Sequence, residues 1–243
     1  LTNTNAWNNG WAWSPDSKSI LLASDRDGNW EIYRMSVNGD QEGIVRLTNS
    51  PAQDGWPSYT PDGKHIVFAS DREGGTSQIY IMDADGSNVR RLNYSEAYDT
   101  LPDVSPDGTK IVYSQQTGTE QTGITSEIYV MSIDGKDATR LTSTVAVNSD
   151  PSWSPDGKQI IFASDRDGNT NIYAMNADGT EVRRLTDDPG EDVTPFWGII
   201  QVGASGGVQG SGTAGDAGVS VATHAARPQL PPFVLRRSGI VLV

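Results

Sequence analysis

A short string recurs four times in this chain, and the recurrence limits the possible folds more than any other feature. The string is Ser/Thr-Pro-Asp, and its prolines stand at positions 15, 61, 106 and 155. An Ile-Tyr pair and then an Arg-Leu pair follow each copy in the same order. Self-similarity at a period of roughly 20 to 50 residues indicates stacked structural units, because one unit alone cannot bury its apolar faces.

Each repeat contains four short segments with the composition of β-strands. In the last complete repeat these are Pro151–Trp153, Ile160–Ala163, a segment around Ile172-Tyr173 and a segment ending at Arg184-Leu185. β-Branched and aromatic residues fill such segments, while Gly, Asp, Asn and Pro fill the gaps. Pro-Asp-Gly and Asp-Gly are turn sequences, because Pro fixes φ and Gly accepts a positive φ. We therefore predict an all-β fold, a β-propeller of four-stranded antiparallel blades.

The repeats divide the chain into two parts. Propeller repeats are predicted over residues 1–197, with complete units at about 3–48, 49–93, 94–142 and 143–186 and a partial fifth unit at 187–197. The start of the chain matches the end of a preceding repeat, so partial blades are expected at both ends. Four complete units then form part of a larger ring, or a small ring that closes by pairing its two ends. Residues 198–243 are predicted to be a Gly/Ala-rich flexible or aberrant C-terminal tail.

The composition excludes several kinds of function. The chain has no Cys and two His, which removes thiol chemistry and leaves little for a histidine-ligated metal. Its net charge of −13 has the wrong sign for a phosphate-binding surface, so no nucleic-acid partner is expected. No apolar run approaches the roughly 20 residues that cross a bilayer, so no membrane span is expected.

Two motif matches fall in the C-terminal tail, and neither is expected to work. Ser205, Asp216 and His224 follow the order of a hydrolase triad. The chain between them is far too short to build the sheet on which such a triad stands. Residues 210–215 match a dinucleotide-binding pattern, but the βαβ unit that the pattern needs is missing. We therefore predict no catalytic residue and no resident cofactor.

A polar residue stands three positions before the first-strand proline of each unit, and in the first unit Trp11 takes the place of the proline. These residues are Asn8, Asp54, Asp99, Asn148 and Asp192. If the first strands are innermost, the five side chains ring one mouth of a central channel and make it negative. Such a ring could bind a basic peptide, or Ca²⁺ through oxygen ligands. Alternatively, Asp and Asn cap turns here by accepting hydrogen bonds from nearby backbone N–H groups.

A Ser-Asp-Arg string follows the second strand of three units. Its copies are Ser24-Asp25-Arg26, Ser70-Asp71-Arg72 and Ser164-Asp165-Arg166. We interpret it as a hairpin turn in which neighbouring Asp and Arg side chains form local ion pairs. The third unit lacks the string and has a longer loop after Ser114, which is either a tolerated insertion or a loop that contacts a partner.

The fullest copy of the repeat, Pro151 to Thr186, closely resembles the TolB-like, or WD-like, β-propeller repeat. The resemblance covers all four units. It implies a ring of six or seven blades, of which this chain would be a fragment. It also implies a non-catalytic protein-interaction module in the bacterial periplasm or outside the cell.

The resemblance further implies a particular kind of partner. The partner would be a protein or peptide, such as a cell-envelope lipoprotein, bound at the channel mouth. The alternative is a regulatory or gating propeller of a prolyl-oligopeptidase-like or other hydrolase, whose catalytic domain lies outside these residues. The blade pattern alone does not choose between the two, because a fold does not fix a function.

Overall fold

The computed structural model describes residues 6–37, 43–118, 123–187 and 189–197, and these residues form short β-strands joined by tight turns. The strands are β1 Asn8–Trp13, β2 Ser19–Ser24, β3 Glu31–Ser36, β4 Val45–Arg46, β5 Asp54–Tyr59, β6 His65–Ser70, β7 Gln78–Asp83, β8 Arg90–Arg91, β9 Tyr98–Val104, β10 Lys110–Thr117, β11 Thr125–Ser132, β12 Thr139–Arg140, β13 Asn148–Trp153, β14 Gln159–Ser164, β15 Asn171–Asn176 and β16 Arg183–Arg184.

The strands assemble into four antiparallel sheets, each with four strands in chain order. Blade 1 is β1–β4, blade 2 is β5–β8, blade 3 is β9–β12 and blade 4 is β13–β16. The first strands of successive blades lie against one another, β1 against β5, β5 against β9 and β9 against β13. These first strands are therefore innermost, and the two-residue fourth strands form the outer rim. The predicted all-β propeller of four-stranded antiparallel blades is confirmed.

Apolar side chains fill the space between consecutive blades. The second and third strands of one blade present small and branched residues, such as Val67, Ala69 and Ile79, to the blade that follows. The following blade contributes larger side chains to the same cluster, among them Tyr113 and Met131. The same pairing of faces joins blade 1 to blade 2 and blade 3 to blade 4. The stacking supplies most of the buried apolar area, which stabilises the fold by about 25 cal/mol per Å².

Every first strand contains a bulge that breaks its register with the second strand. The residue at the bulge has a positive φ: Gly10 at 60°, Trp56 at 49°, Leu101 at 56° and Asp150 at 53°. Non-glycine residues adopt this region at a cost of about 1–3 kcal/mol each, and they do so where the surroundings hold them. In the last three blades the next residue is a proline, which leaves the strand without one donor for the ladder.

The turns between strands follow the predicted chemistry, with one exception. After Pro-Asp, the glycines at 63, 108 and 157 have φ near 70°, and in blade 1 Ser17 takes the same conformation with φ of 58°. In blade 3 the longer loop extends the hairpin itself, because β10 and β11 pair over eight residues each. Residues 119–122 at its tip lie outside the described residues.

Two turn glycines provide a test of blade stacking. Both Gly28 and Gly135 have a positive φ, at 109° and 89°. A methyl group on Gly28 would enter open space, whereas one on Gly135 would overlap the carbonyl oxygen of Leu92 in the preceding blade. Gly28→Ala should lower the free energy of unfolding by about 1–2 kcal/mol through backbone strain alone. Gly135→Ala should cost about 2 kcal/mol more, because the blades must separate locally.

Urea unfolding followed by circular dichroism measures both effects. Gly28→Ala is the matched control, since it carries the same backbone strain without the overlap. Equal losses for the two variants would contradict the close approach of the blade 3 turn to blade 2.

Candidate functional site

The five polar residues predicted to ring the channel lie where the first strands begin. Asn8, Asp54 and Asn148 begin their strands, Asp99 is the second residue of β9, and Asp192 follows the last described strand. All are buried except Asn8, which is partly buried. The side chains of Asp54, Asp99 and Asn148 point into hydrogen-bond networks that reach back towards the preceding blade, whereas Asn8 is bonded within blade 1. A ligand could reach Asp54, Asp99 or Asn148 only by displacing the protein groups that already bind them.

Asp54 shows how the network is built. Its carboxylate accepts hydrogen bonds from the hydroxyl of Ser70 at 2.5 Å and from Nη2 of Arg72 at 2.9 and 3.0 Å. The guanidinium of Arg72 also lies over the rings of Phe68 and Tyr80, about 5 Å from each centroid. The predicted local ion pair is therefore wrong for Arg72, which pairs with Asp54 across the blade instead of with its neighbour Asp71. The Asp71 carboxylate accepts a hydrogen bond from the backbone N–H of Gln53.

In blades 3 and 4 the corresponding first-strand side chain has different hydrogen-bond partners. In blade 4, Nη2 of Arg166 donates to Oδ1 of Asn148 at 2.7 Å. Blade 3 has no arginine after its second strand, and there Gln115 donates to Asp99 at 2.9 Å. Asp99 also accepts hydrogen bonds from Asn93 and Ser95. Gln115 stands opposite Asp99 where Ser70 stands opposite Asp54, so a donor to the carboxylate is preserved at this position.

A second buried polar residue, on the third strand, links each network to the preceding blade. Glu31 of blade 1 accepts hydrogen bonds from the backbone N–H of Ser50 at 2.9 Å and from Arg46 at 2.7 Å. The hydroxyl of Ser50 in turn points to Asp54 of blade 2 at 3.5 Å. Gln78 makes the corresponding link to Ser95 and blade 3. A continuous chain of polar side chains therefore crosses the blade boundary.

Burial raises the pKa of the carboxyl groups in this polar network, and hydrogen bonding lowers it. Burial raises the pKa of Asp54 and of Asp99 above the ordinary range, and the donors around them offset only part of the effect. Burial also raises the pKa of Glu31, but hydrogen bonds from Thr48, Ser50 and Arg46 outweigh it, so that the pKa lies below its ordinary value. These carboxylates are structural anchors with fixed partners.

An open cleft lies along the later part of the first strands of blades 1 to 3. Its volume is about 340 Å³. It is lined by Trp11, Ala12, Trp13, Pro15, Pro57, Ser58, Tyr59, Thr60, Pro61, Pro102 and Asp103. Trp11 and Trp13 are 55% and 62% exposed, which is unusual for side chains of this size. The cleft therefore presents aromatic and proline surfaces, with one carboxylate at its edge.

Asp103 joins the first strands of three blades at the edge of the cleft. Its carboxylate accepts a hydrogen bond from the backbone N–H of Trp153 in blade 4 at 2.8 Å and one from the hydroxyl of Ser58 in blade 2 at 3.3 Å. Burial raises the pKa of Asp103, and these hydrogen bonds oppose the shift. Asp103 therefore fixes the spacing of the inner strands and places negative charge beside the aromatic wall.

The repeat pattern does not predict this cleft, although two residues in the sequence point to it. Trp11 stands where the other repeats have Pro, and Asp103 stands where they have a small or apolar residue. Both are departures from a repeat whose other positions are explained by packing. The sequence does not show that three first strands lie close together, because only the stacking of blades brings them together.

The remaining sequence features concern a catalytic triad, a metal site and a membrane span. Ser205, Asp216 and His224 fall in the undescribed part of the chain. Across the ranges that the structure describes, no three acidic or histidine side chains are grouped as a metal site would require. Over the same ranges, no helix has the length and apolar character needed to cross a bilayer.

Stacked four-stranded blades with a cleft among their inner strands define a repeat protein of the β-propeller class. The family profile described as the TolB beta propeller domain matches residues 1–126 and 117–199. The chain belongs to this TolB beta-propeller family. None of the curated proteins matches it.

Solved structures of two TolB proteins resemble the chain in fold and in sequence. The putative TolB from Agrobacterium tumefaciens is 31% identical with a TM-score of 0.66, over 79% of this chain and 66% of that protein. TolB from Acinetobacter baumannii is 30% identical with a TM-score of 0.64, over 81% of this chain and 46% of that protein. The chain therefore spans less than two thirds of each TolB structure.

A hydrolase structure resembles the chain in fold alone. A prolyl endopeptidase is 13% identical with a TM-score of 0.53, over 80% of this chain and 31% of that protein. At this level of identity the likeness reports the shared propeller architecture and lends no support to a gating role.

Removal of the Asp54 carboxylate tests its role as an anchor. Asp54→Ala should lower the free energy of unfolding by about 2 kcal/mol, because it leaves Arg72 and Ser70 without their acceptor. Glu96→Ala is the matched control, since Glu96 is exposed and the change in charge is the same. It should alter stability by less than about 0.5 kcal/mol. Thermal unfolding of both variants measures the difference, and an undisturbed Asp54→Ala protein would refute the anchoring role.

The lowered pKa of Glu31 predicts a dependence of stability on pH. A carboxyl group whose folded pKa lies below its unfolded value stabilises the fold above the unfolded pKa, and the stabilisation is lost as the pH falls through the folded pKa. Glu31→Gln should cost about 1 kcal/mol at pH 7, and this gap should close on acidification below about pH 4. Gln is compatible with the position, because Gln78 occupies it in blade 2.

Urea unfolding of wild type and Glu31→Gln between pH 3 and pH 7 measures the gap. Gln78→Glu is the complementary variant, and it should add a dependence on pH at the next blade boundary. A gap that stays constant over the whole range would show that the ionised form of Glu31 gains nothing from its donors.

Proposed function

We propose that this chain is a non-catalytic protein-interaction propeller, and that it binds an extended segment of a partner protein in the cleft on the central side of blades 1 to 3. The observation that carries the proposal is a cleft that four prolines line and in which Trp11, 55% exposed, stands where the other blades have proline. Exposed aromatic side chains are enriched at binding surfaces.

The chemistry of the cleft favours a particular kind of ligand. Aromatic and proline walls bind extended, proline-containing or apolar peptide segments, which lose little entropy on binding. The face of an indole also attracts a Lys or Arg side chain. The carboxylate of Asp103 and the chain's net charge of −13 favour a basic segment further. The ligand that fits best is therefore an extended peptide segment with apolar and basic residues.

Membership of the TolB family supports a cellular location for this binding. We infer that the chain acts in the periplasm of a bacterium, or outside the cell, and that its partner is a cell-envelope protein such as a peptidoglycan-associated lipoprotein. In this proposal Asn8, Asp54, Asp99, Asn148 and Asp192 shape the channel side by positioning the first strands. The partner contacts come from Trp11, Trp13 and the side chains around them.

The double variant Trp11→Ala/Trp13→Ala tests the cleft as a binding site. The purified soluble part of a peptidoglycan-associated lipoprotein, immobilised for biolayer interferometry, is the probe. Loss of the two indoles should weaken binding by about thirtyfold, which corresponds to about 2 kcal/mol for an aromatic hot spot. The fold should be unaffected, because both side chains are largely exposed.

Trp7→Ala is the matched control for this measurement. Trp7 is 50% exposed in the same blade but does not line the cleft. Its removal should change the affinity by less than about twofold. Absence of binding by the wild-type chain, or equal losses in the Trp7 and Trp11/Trp13 variants, would count against the proposed function.

A further inference from the structure

A second cavity lies between blades 3 and 4, beside the turns that join their first and second strands. Its volume is about 330 Å³, within the range of small-ligand sites. It is lined by Pro106, Asp107 and Lys110 of blade 3 and by Trp153, Asp156 and Ala177 of blade 4. All eight strands of these two blades are described, so both walls of the cavity are part of complete blades.

Trp153 brings a buried hydrogen-bond donor to this cavity. The residue is 6% exposed, lies in an apolar cluster with Val112 of blade 3, and its indole N–H has no hydrogen-bond partner. A buried indole N–H normally has a partner, because an unpaired buried donor is costly. Tyr59 and Val104 stand at the corresponding positions of blades 2 and 3. Of the three boundaries between the described blades, only the one between blades 3 and 4 therefore has this donor.

Lys110 contributes a second donor. In three blades a lysine forms an ion pair with the turn aspartate two residues before it, and these lysines are Lys18, Lys64 and Lys158. In blade 3 Thr109 has that position, and Lys110 is the first residue of β10. Lys110 lies on the same face of β10 as Val112, because alternate residues of a strand point the same way, and that face packs against blade 4. None of the ion pairs formed by the described residues includes Lys110.

The two aspartates that line the cavity add acceptors. Oδ1 of Asp107 accepts hydrogen bonds from Ser105 and Thr109 within its own turn, and Oδ1 of Asp156 is bonded in the same way in blade 4. Oδ2 of Asp156 lies 3.7 Å from Nζ of Lys158. No donor among the described residues bonds to Oδ2 of Asp107. The cavity therefore combines two donors, one of them cationic, with a carboxylate oxygen that can accept.

This set of groups selects a neutral ligand that both accepts and donates hydrogen bonds. An anionic group would meet Asp107 and Asp156, whose like charge opposes its entry. A Lys or Arg side chain has no acceptor for the indole N–H of Trp153. A primary amide has one oxygen that accepts and two N–H groups that donate, and it carries no net charge. The side chain of Gln or Asn therefore matches the cavity.

The cavity adjoins the cleft along the first strands. Asp103 lines the cleft, and its carboxylate accepts the hydrogen bond from the backbone N–H of Trp153 at 2.8 Å. Ser105, which stands two residues after Asp103, lines the cavity. Two residues of extended chain span about 7 Å. A peptide segment that lies in the cleft can therefore place a side chain in the cavity within two or three further residues.

We propose that this cavity is a subsite for the side-chain amide of a Gln or Asn residue. The amide oxygen accepts hydrogen bonds from Trp153 and Lys110, and the amide nitrogen donates to Oδ2 of Asp107. The inference rests on the proposed function and specifies its ligand. The segment bound in the cleft carries a Gln or Asn residue about two or three positions beyond the part that contacts the cleft.

Nuclear magnetic resonance of the whole chain tests the subsite directly, with N-acetylglutamine amide as the probe. The indole N–H resonance of Trp153, which is identified by its loss in Trp153→Phe, should shift in a saturable manner because the N–H gains an acceptor. N-acetylnorleucine amide has the same backbone without the side-chain amide, and it should cause no shift. N-acetylglutamate amide replaces the amide with a carboxylate, and it should bind at least about tenfold more weakly.

Lysine variants test the second donor. Lys110→Met should weaken binding of N-acetylglutamine amide by about tenfold, because it removes a charged donor to the amide oxygen. Lys64→Met is the matched control, since Lys64 follows the corresponding turn of blade 2 and does not line the cavity. It should leave the affinity unchanged. Lys110 is exposed, so its replacement should not disturb the fold.

Several results would overturn the subsite. These are a Trp153 resonance that does not shift, equal responses to the three probe compounds, a preference for the glutamate compound, and equal losses in the Lys110 and Lys64 variants. Lys110→Met should also weaken binding of the lipoprotein fragment by about fivefold. Unchanged lipoprotein binding would overturn the assignment of the cavity to the segment in the cleft.

The test separates this inference from the proposed function. The double variant Trp11→Ala/Trp13→Ala should leave the affinity for N-acetylglutamine amide unchanged, because a single residue in the cavity does not reach the cleft. Loss of lipoprotein binding in that variant with no response of the cavity would leave the cleft proposal standing and refute the subsite. A responding cavity in a chain that binds no lipoprotein would refute the cleft proposal and the link between the two sites.

Discussion

The chain of buried polar groups that crosses each blade boundary is the interaction on which the rest of the structure depends. The third strand of one blade supplies Glu31, the connecting loop supplies Ser50, and the first strand of the next blade supplies Asp54. Buried polar groups are costly unless they are bonded, so such a chain has few alternative arrangements. It therefore fixes where the next blade begins, and the apolar faces then fill the space that remains.

The bulges of the first strands follow from this anchoring. In blades 2 to 4 each first strand is held near its start by a buried polar residue, and further along by contact with the adjacent inner strand. Between these points Trp56, Leu101 and Asp150 take a positive φ that is unfavourable for their residue types. The bend brings the following residues of three blades together around one cleft. The cleft therefore lies just beyond the bulges at Gly10, Trp56 and Leu101.

Much of the fold could be predicted from the sequence, because strand composition and turn chemistry are local properties that recur in every repeat. The burial and the hydrogen-bond partners of individual polar side chains could not be predicted from it. Asp54 was predicted on the first strand near the centre, but its burial and its bond to Arg72 arise from a packing that no sequence spacing encodes. Trp11 and Asp103 were visible as departures from the repeat, yet their meeting in a cleft required the inner strands of separate blades to be adjacent.

The sequence by itself determined the four-stranded unit, its repetition and the turns, since a period near 46 residues with alternating apolar segments has few other solutions. Only the tertiary structure decided which polar residues face each other across a blade boundary and which remain accessible. The physical reason is that burial and hydrogen bonding belong to pairs of blades, and a repeat read along one chain describes each blade alone.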